Sequence, residues 1–253
     1  MAYVIAVAGK GGVGKTSITC HVIGALRDMG KTPILAVDAD PNSNLNELLG
    51  VAVRETIADV IEETKDAAKN LPPGFSKERY MEERINSAVI ESEGFDLFVM
   101  GRPGGPGCYC YPNMMLRKFL DEVSAQYSYI VLDNEAGMEH ISRRTSRKVD
   151  ALLIVSDPSL AALRAAGRIR DTARLLGLNV AAEGLVVNMT ENGLPESAGN
   201  EIERLNLRLF GSIPFDEEVY RRSLDGTPLL DVPPDKSPSR MSVARMLRGI
   251  LRF

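Results

Sequence analysis

Residues 9–16 read Gly-Lys-Gly-Gly-Val-Gly-Lys-Thr, with Ser17 next. The run fits the pattern G-x-x-x-x-G-K-[ST], a loop whose glycines let backbone N–H groups converge on phosphate oxygens. In that reading Gly11, Gly12, Val13, Gly14, Lys15, Thr16 and Ser17 form the cradle. Lys15 reaches the β- and γ-phosphates, and Thr16 offers its hydroxyl to Mg²⁺. A cradle of this kind does not by itself need the second cation, Lys10. That residue makes sense if it acts on the site of another copy of the chain.

The flanks agree. Tyr3–Ala8 is a short apolar run, as expected of a strand buried in a parallel sheet. Ile18, Val22, Ile23, Leu26 and Met29 then recur at helical spacing, and Gly30 ends the pattern. Strand, glycine-rich turn and helix N-terminus together bind phosphate. Gly9, Gly11 and Gly14 also satisfy G-x-G-x-x-G, and Asp38 stands about where a dinucleotide fold keeps its ribose-binding acid. A Lys-Thr pair directly after the third glycine has no use in that fold, so nucleoside triphosphate binding is the expectation.

The chain has 253 residues, enough for one large α/β domain, and residues 1–253 are read as a single P-loop ATPase domain. A net charge of −4 and the lack of a long basic run argue against nucleic acid as a partner. No apolar stretch approaches the ~20 residues needed to span a bilayer, and no signal peptide precedes the first strand. Three cysteines without a paired framework suit a reducing compartment, so a cytoplasmic protein is expected.

Strand candidates are Tyr3–Ala8, Pro33–Val37, Phe95–Met100, Tyr129–Leu132, Ala151–Val155, Gly184–Val187 and Leu209–Ile213. Helical patterns alternate with them at Ser17–Met29, Glu55–Glu63, Lys77–Ile90, Asn113–Ser124, Leu160–Leu176 and Asn200–Leu205. The alternation predicts an α/β fold, a mostly parallel twisted sheet with helices on both faces. The tail, Arg240–Phe253, places Val243, Met246, Leu247, Ile250 and Leu251 on one helical face, with Arg245, Arg248 and Arg252 off it. A last helix docked on the sheet accounts for this pattern, and a basic helix on an anionic membrane is the competing account. A membrane is not an expected partner.

Open parallel sheets keep their chemistry at the C-terminal ends of strands. Two strand candidates run into acids there: Asp38-Ala39-Asp40-Pro41-Asn42, and Asp133-Asn134-Glu135-Ala136-Gly137. Asp133, directly after an apolar run, is expected to hold Mg²⁺, and Gly137 suits a backbone that swings when the γ-phosphate leaves. The residues alone leave open whether Asp38 and Asp40 act on the reaction or only start turns.

Residues 101–113, Gly-Arg-Pro-Gly-Gly-Pro-Gly-Cys-Tyr-Cys-Tyr-Pro-Asn, read as a loop on the nucleotide side of the sheet. Two thiolates at i, i+2, Cys108 and Cys110, can bind one soft or borderline metal ion but supply only half of a four-sulfur site. The chain's two histidines, His21 and His140, are remote in sequence. The same loop of a second subunit would complete a Cys₄ site on a two-fold axis, which favours a homodimer. A redox switch and an incidental pair remain the alternatives. Cys20 is expected in the core.

Taken together, Gly9–Thr16 resembles the deviant Walker A motif of MinD/ParA-type ATPases, a group that includes the nitrogenase iron protein. Gly107-Cys108-Tyr109-Cys110 and Asp133–His140 resemble the CooC-type maturation ATPases, which assist nickel insertion into carbon monoxide dehydrogenase; a close branch serves acetyl-CoA synthase. The resemblance implies an ATP-hydrolysing homodimer, with ATP/ADP and Mg²⁺ as ligands and a nickel enzyme as client. It makes Lys10, Lys15 and Asp40 catalytic, Lys10 by crossing to the partner's phosphates and Asp40 by positioning the attacking water. Asp38 joins Thr16 and Asp133 around Mg²⁺. Asn188 in Val-Val-Asn, Pro214 and Asp216 become adenine-binding elements. Cys108 and Cys110 would hold Ni²⁺ or Zn²⁺ with their dimer mates, and His140 would relay conformation. Asn134 and Glu135 stand where the iron protein has a cluster-ligand loop, so an iron–sulfur reductase is not expected. A MinD/ParA-like positioning ATPase is the other alternative.

Overall fold

The computed structural model describes residues 2–67, 76–102, 110–134 and 148–251. Its strands are β1 (Tyr3–Gly9), β2 (Ile34–Asp38), β3 (Ile90–Ser92), β4 (Phe95–Val99), β5 (Tyr129–Asp133), β6 (Val149–Ser156), β7 (Val180–Thr190) and β8 (Leu209–Pro214). They form an eight-stranded sheet in the order β3-β4-β2-β5-β1-β6-β7-β8. Every pairing is parallel except the edge hairpin of β3 with β4. The helices are α1 (Lys15–Asp28), α2 (Leu45–Leu49), α3 (Ile57–Ala67), α4 (Lys77–Ser87), α5 (Cys110–Val123), α6 (Leu160–Leu175), α7 (Glu196–Arg204), α8 (Glu217–Asp225) and α9 (Pro238–Ile250).

The strands are continuously apolar because both faces of the sheet are covered. Along β1 the side chains alternate between two cores: Val4, Ala6 and Ala8 pack on one face, Ile5 and Val7 on the other. On the first face they meet α3, α4, α5 and α6 through residues such as Ile57, Met81, Phe119 and Leu163. On the second they meet α1, α2 and α9 through Ile18, Leu45 and Val243. Phe98 stacks on Phe119 with ring centroids 4.0 Å apart, pinning α5 to the sheet.

Two expectations are corrected. The helix expected to reach Ile90 stops at Ser87, because Val89 and Ile90 turn into the edge strand, where Ile90 pairs with Leu97 across the Gly94 turn (φ +84°). The loop expected over 101–113 ends earlier, since α5 already begins at Cys110. Pro112 is accommodated because the first turn of a helix needs no intrahelical N–H partners. Helices α2 and α8 fall outside the expected helical patterns.

The C-terminal helix is docked. Val243, Met246 and Leu247 are buried in the core, and Arg245 and Arg248 are exposed. Ser237 caps α9 by accepting from Arg240 N, and Pro238 sits in the first turn. Arg240, 2% exposed, lies over Gly24 of α1, where a Cβ would come within 2.8 Å of its guanidinium carbon. Its guanidinium donates to both carboxylate oxygens of Asp28, at 2.9 and 2.8 Å, and to the carbonyls of Leu230 and Val232, each at 3.0 Å. With the sheet on one side and α9 on the other, α1 is buried without a break from Ile18 to Leu26. No helix among the described residues is long and apolar enough to cross a membrane.

Candidate nucleotide site

The strand order changes direction at β1: the connection from β1 to β2 runs one way across the sheet, and that from β5 to β6 passes β1 to the other side. Ligands of open α/β sheets bind outside the strand ends at such a point. Gly9–Thr16 lies there. Gly9 approaches β6 so closely that a Cβ would stand 2.4 Å from the Val155 carbonyl oxygen. Gly12 and Gly14 adopt φ of +83° and +87°, the left-handed conformation that a side chain opposes. Gly14 ends the loop, and α1 begins at Lys15, so its first N–H groups face the loop's concavity. Lys10, Gly11 and Gly12 are exposed; Lys15, Thr16 and Ser17 are half-buried.

Asn188 braces this loop. β7 loses register with β8 between Val187 and Thr190, and Met189 takes φ +57°, a bulge that re-aims the strand end. The Asn188 side chain thereby donates from Nδ2 to the Val13 carbonyl at 3.0 Å. A Cβ on Gly14 would fall 2.4 Å from the same nitrogen.

The acids converge as their strands dictate. Asp38 and Asp133 are direct register partners on β2 and β5. Asp133 is buried and accepts from Thr19 Oγ1 at 3.1 Å. Burial pushes its carboxyl up to about 6, against hydrogen bonds from Thr16 and Thr19 and the nearby Lys15 charge. Asp38 is fully buried and accepts from Asp40 N at 3.1 Å and Leu45 N at 3.0 Å, so it also starts α2. Burial raises it to about 7, partly offset by the Leu45 hydrogen bond and reinforced by Asp133. Asp40 is more open and accepts from Asn42 N at 2.9 Å. Asn134 is stitched to the strand before the loop: its N and Nδ2 both donate to the Val7 carbonyl, at 3.1 and 2.9 Å.

A cleft of about 160 Å³ opens between α1 and the ends of β7 and β8, lined among others by Ser17, Ile18, His21, Asn188, Pro214 and Phe215. That is room for a base rather than a whole nucleotide. Asp216, in the turn after β8, has both carboxylate oxygens engaged within the chain. Its Oδ1 accepts from Glu218 N and Val219 N, capping α8 at 3.1 and 3.4 Å. Its Oδ2 accepts from Ser237 Oγ at 2.9 Å, Ser239 Oγ at 2.7 Å and Ser239 N at 3.2 Å. Burial would raise this carboxyl, but the Ser239 and Ser237 hydrogen bonds outweigh it and hold it below the usual value. Ser239 Oγ also lies 2.8 Å from Nε2 of His21, which is buried and pushed down to about 4 by desolvation. Nothing in the sequence reading singled out His21, Ser237 or Ser239, although Ser-Pro at 237–238 is a recognisable helix start.

Among the described residues no cluster of three or more His, Cys, Asp and Glu side chains could hold a metal ion. Cys108, Glu135, Gly137 and His140 lie outside the described residues, and Cys110 enters only as the first residue of α5. Cys20 is a core residue: its buried thiol donates to the Leu48 carbonyl at 3.5 Å, and burial raises it to about 12.

Residues 4–229 match the model of the CobQ/CobB/MinD/ParA nucleotide-binding domain. An uncharacterised ATP-binding protein of Methanocaldococcus jannaschii is 40% identical over 232 residues, 91% of each chain. The carbon monoxide dehydrogenase accessory protein CooC of Rhodospirillum rubrum is 30% identical over 253 residues, 94% of each chain. The septum site-determining protein MinD of Pyrococcus horikoshii, solved with Mg-ADP, superposes with a TM-score of 0.71 over 100% of this chain and 97% of that one, at 20% identity.

Proposed function

The chain belongs to the CobQ/CobB/MinD/ParA nucleotide-binding family and is an ATPase, and on that footing we propose that it is a nickel metallochaperone. It matures carbon monoxide dehydrogenase or acetyl-CoA synthase, working in the cytoplasm as a homodimer of chains whose residues 1–253 form one P-loop ATPase domain. The observation that carries this reading is the full-length similarity to the Rhodospirillum rubrum accessory protein, joined to the Cys108-x-Cys110 pair.

ATP lies with its phosphates on Gly11–Ser17 and its base in the cleft beside Asn188 and Pro214. Thr16 and Asp133 hold Mg²⁺, with Asp38 behind them. The donor set fits a cation: Asp38 and Asp133 are register partners on neighbouring strands, and burial raises both carboxyls. When bound, Mg²⁺ neutralises charge on the phosphates. Lys15 holds the transferring phosphoryl group, and Asp40, the more open acid at the end of β2, orients the attacking water. Lys10, exposed at the rim, reaches the partner's phosphates, as a trans-acting arginine does in other nucleotide hydrolases. Dimer closure brings the two Cys-x-Cys loops together around one Ni²⁺ or Zn²⁺ as cargo, and hydrolysis releases it to the client.

On a membrane, the positioning-ATPase reading requires a surface-seeking tail. The apolar face of α9 is instead spent on the core, which weighs against it. Metal analysis with light scattering, on the wild type and on Cys108→Ser/Cys110→Ser, with and without ATP, tests the proposal. About one metal per two chains, lost in the double variant, is expected. Metal retained by the double variant, or bound by single chains, sinks it.

A further inference from the structure

Asp216 sits at the end of β8, where an ionised carboxylate facing a purine could accept the N–H donors of guanine. It is not available: five donors from Glu218, Val219, Ser237 and Ser239 crowd its two oxygens within 3.4 Å. Its charge acts instead through a chain of hydrogen bonds whose polarity follows from proton counting. The Ser239 hydroxyl carries one hydrogen, and at 2.7 Å from Asp216 Oδ2 that hydrogen goes to the carboxylate, which can only accept. Ser239 Oγ then has only lone pairs for His21 Nε2 at 2.8 Å, so Nε2 carries the ring hydrogen. Burial keeps the imidazole neutral near pH 7. A neutral ring protonated at Nε2 has a bare lone pair on Nδ1. Among the described residues no donor meets Nδ1, and His21 lines the cleft.

We infer that His21 selects the base: its Nδ1 accepts from the exocyclic 6-amine of adenine and opposes a purine with a 6-oxo group in the same pose. Adenine presents a donor at that position, where guanine and hypoxanthine present an acceptor. Ser239 and Asp216 are positioning residues, since they fix which ring nitrogen bears the hydrogen. The inference rests on the reading of this cleft as the base site.

Binding of ATP, inosine triphosphate and purine-riboside triphosphate, each with Mg²⁺, is measured by calorimetry on the wild type, Ser239→Ala and His21→Phe. The wild type is expected to favour ATP over both analogues by about tenfold or more, the range of one buried hydrogen bond lost or opposed. In Ser239→Ala the ring is free to move its hydrogen to Nδ1, so the ATP-to-inosine preference falls at least about fivefold. That change is one a purely structural role for Ser239 would not produce, because a loosened cleft weakens all three ligands alike. In His21→Phe the three bind within about threefold of one another. If His21→Phe does not fold, Ser239→Ala decides. Equal wild-type affinity for ATP and inosine triphosphate overturns the inference and leaves nucleotide binding intact. A full preference retained in the folded variants also overturns it. Failure of the wild type to bind any of the three overturns the base-site reading with it.

Discussion

Replacing Gly14 by alanine tests how the phosphate loop is held, and Gly12 supplies its control. Both residues are left-handed, at φ +87° and +83°. An L-side chain in that region costs about 1–2 kcal/mol at either site. The surroundings differ. A Cβ at Gly12 meets nothing within 4 Å, whereas at Gly14 it falls 2.4 Å from Asn188 Nδ2. Asn188 must then withdraw and lose its 3.0 Å hydrogen bond to the Val13 carbonyl, a further loss of about 0.5–1.5 kcal/mol. Gly14→Ala should therefore destabilise by about 1.5–3.5 kcal/mol and Gly12→Ala by about 1–2. Urea unfolding followed by circular dichroism measures both, with equal m-values required for the comparison. Repeating Gly14→Ala in an Asn188→Ala background closes a double-mutant cycle. There the excess over Gly12→Ala should vanish. If Gly14→Ala costs no more than Gly12→Ala, or if the excess survives without Asn188, the brace does not exist.

Arg240→Met should lower the urea midpoint by an amount equivalent to about 1–3 kcal/mol, because it leaves the Leu230 and Val232 carbonyls without their donors and removes the ion pair to the exposed Asp28; an unchanged midpoint would mean that α9 is not clamped to α1. The stability of the wild type relative to His21→Asn should fall as pH drops from about 6.5 towards 4. The His21 pKa is lowered from 6.5 unfolded to about 4 folded, so the unfolded chain takes up the proton first and the contribution is full only above that window. Asp38 and Asp133, raised to about 7 and 6, push the opposite way, but they are common to both proteins and cancel in the difference. Melting temperatures across that pH range show whether the gap between the proteins closes as expected or stays constant.

Much of this architecture was legible because its signals are local. The glycine run fixed the loop, and seven apolar runs marked seven of the eight strands; five are shorter than the observed strand, Pro33–Val37 is offset by one residue, and Phe95–Met100 runs one residue past its end. The eighth, Ile90–Ser92, is an edge strand with exposed or half-buried side chains, so the apolar signal that marks a buried strand is absent. Helix α2, five residues long, is too short for periodicity to declare it, and α8 buries no residue in the core; each begins at a carboxylate, Asp38 or Asp216, that the sequence offered as a ligand. The expected amphipathic stripe on α1 proved to be a helix buried all round, because α9 returns from the far end of the chain to cover it. Contacts such as Arg240 over Gly24, or Ser239 on His21, join residues more than two hundred positions apart. No spacing rule reaches that far. Asp38 and Asp133, by contrast, were each found at a strand end, and register alone made them neighbours.

A reactive centre divided between two chains has a kinetic signature. ATP hydrolysis per chain, measured with Mg²⁺ over a dilution series alongside light scattering, should climb as chains pair and level off once all are dimers. Lys10→Ala should bind ATP yet stay flat near zero throughout, a loss of about 10³- to 10⁵-fold. A wild-type rate per chain that holds constant down to dilutions where only single chains scatter light would contradict the shared site.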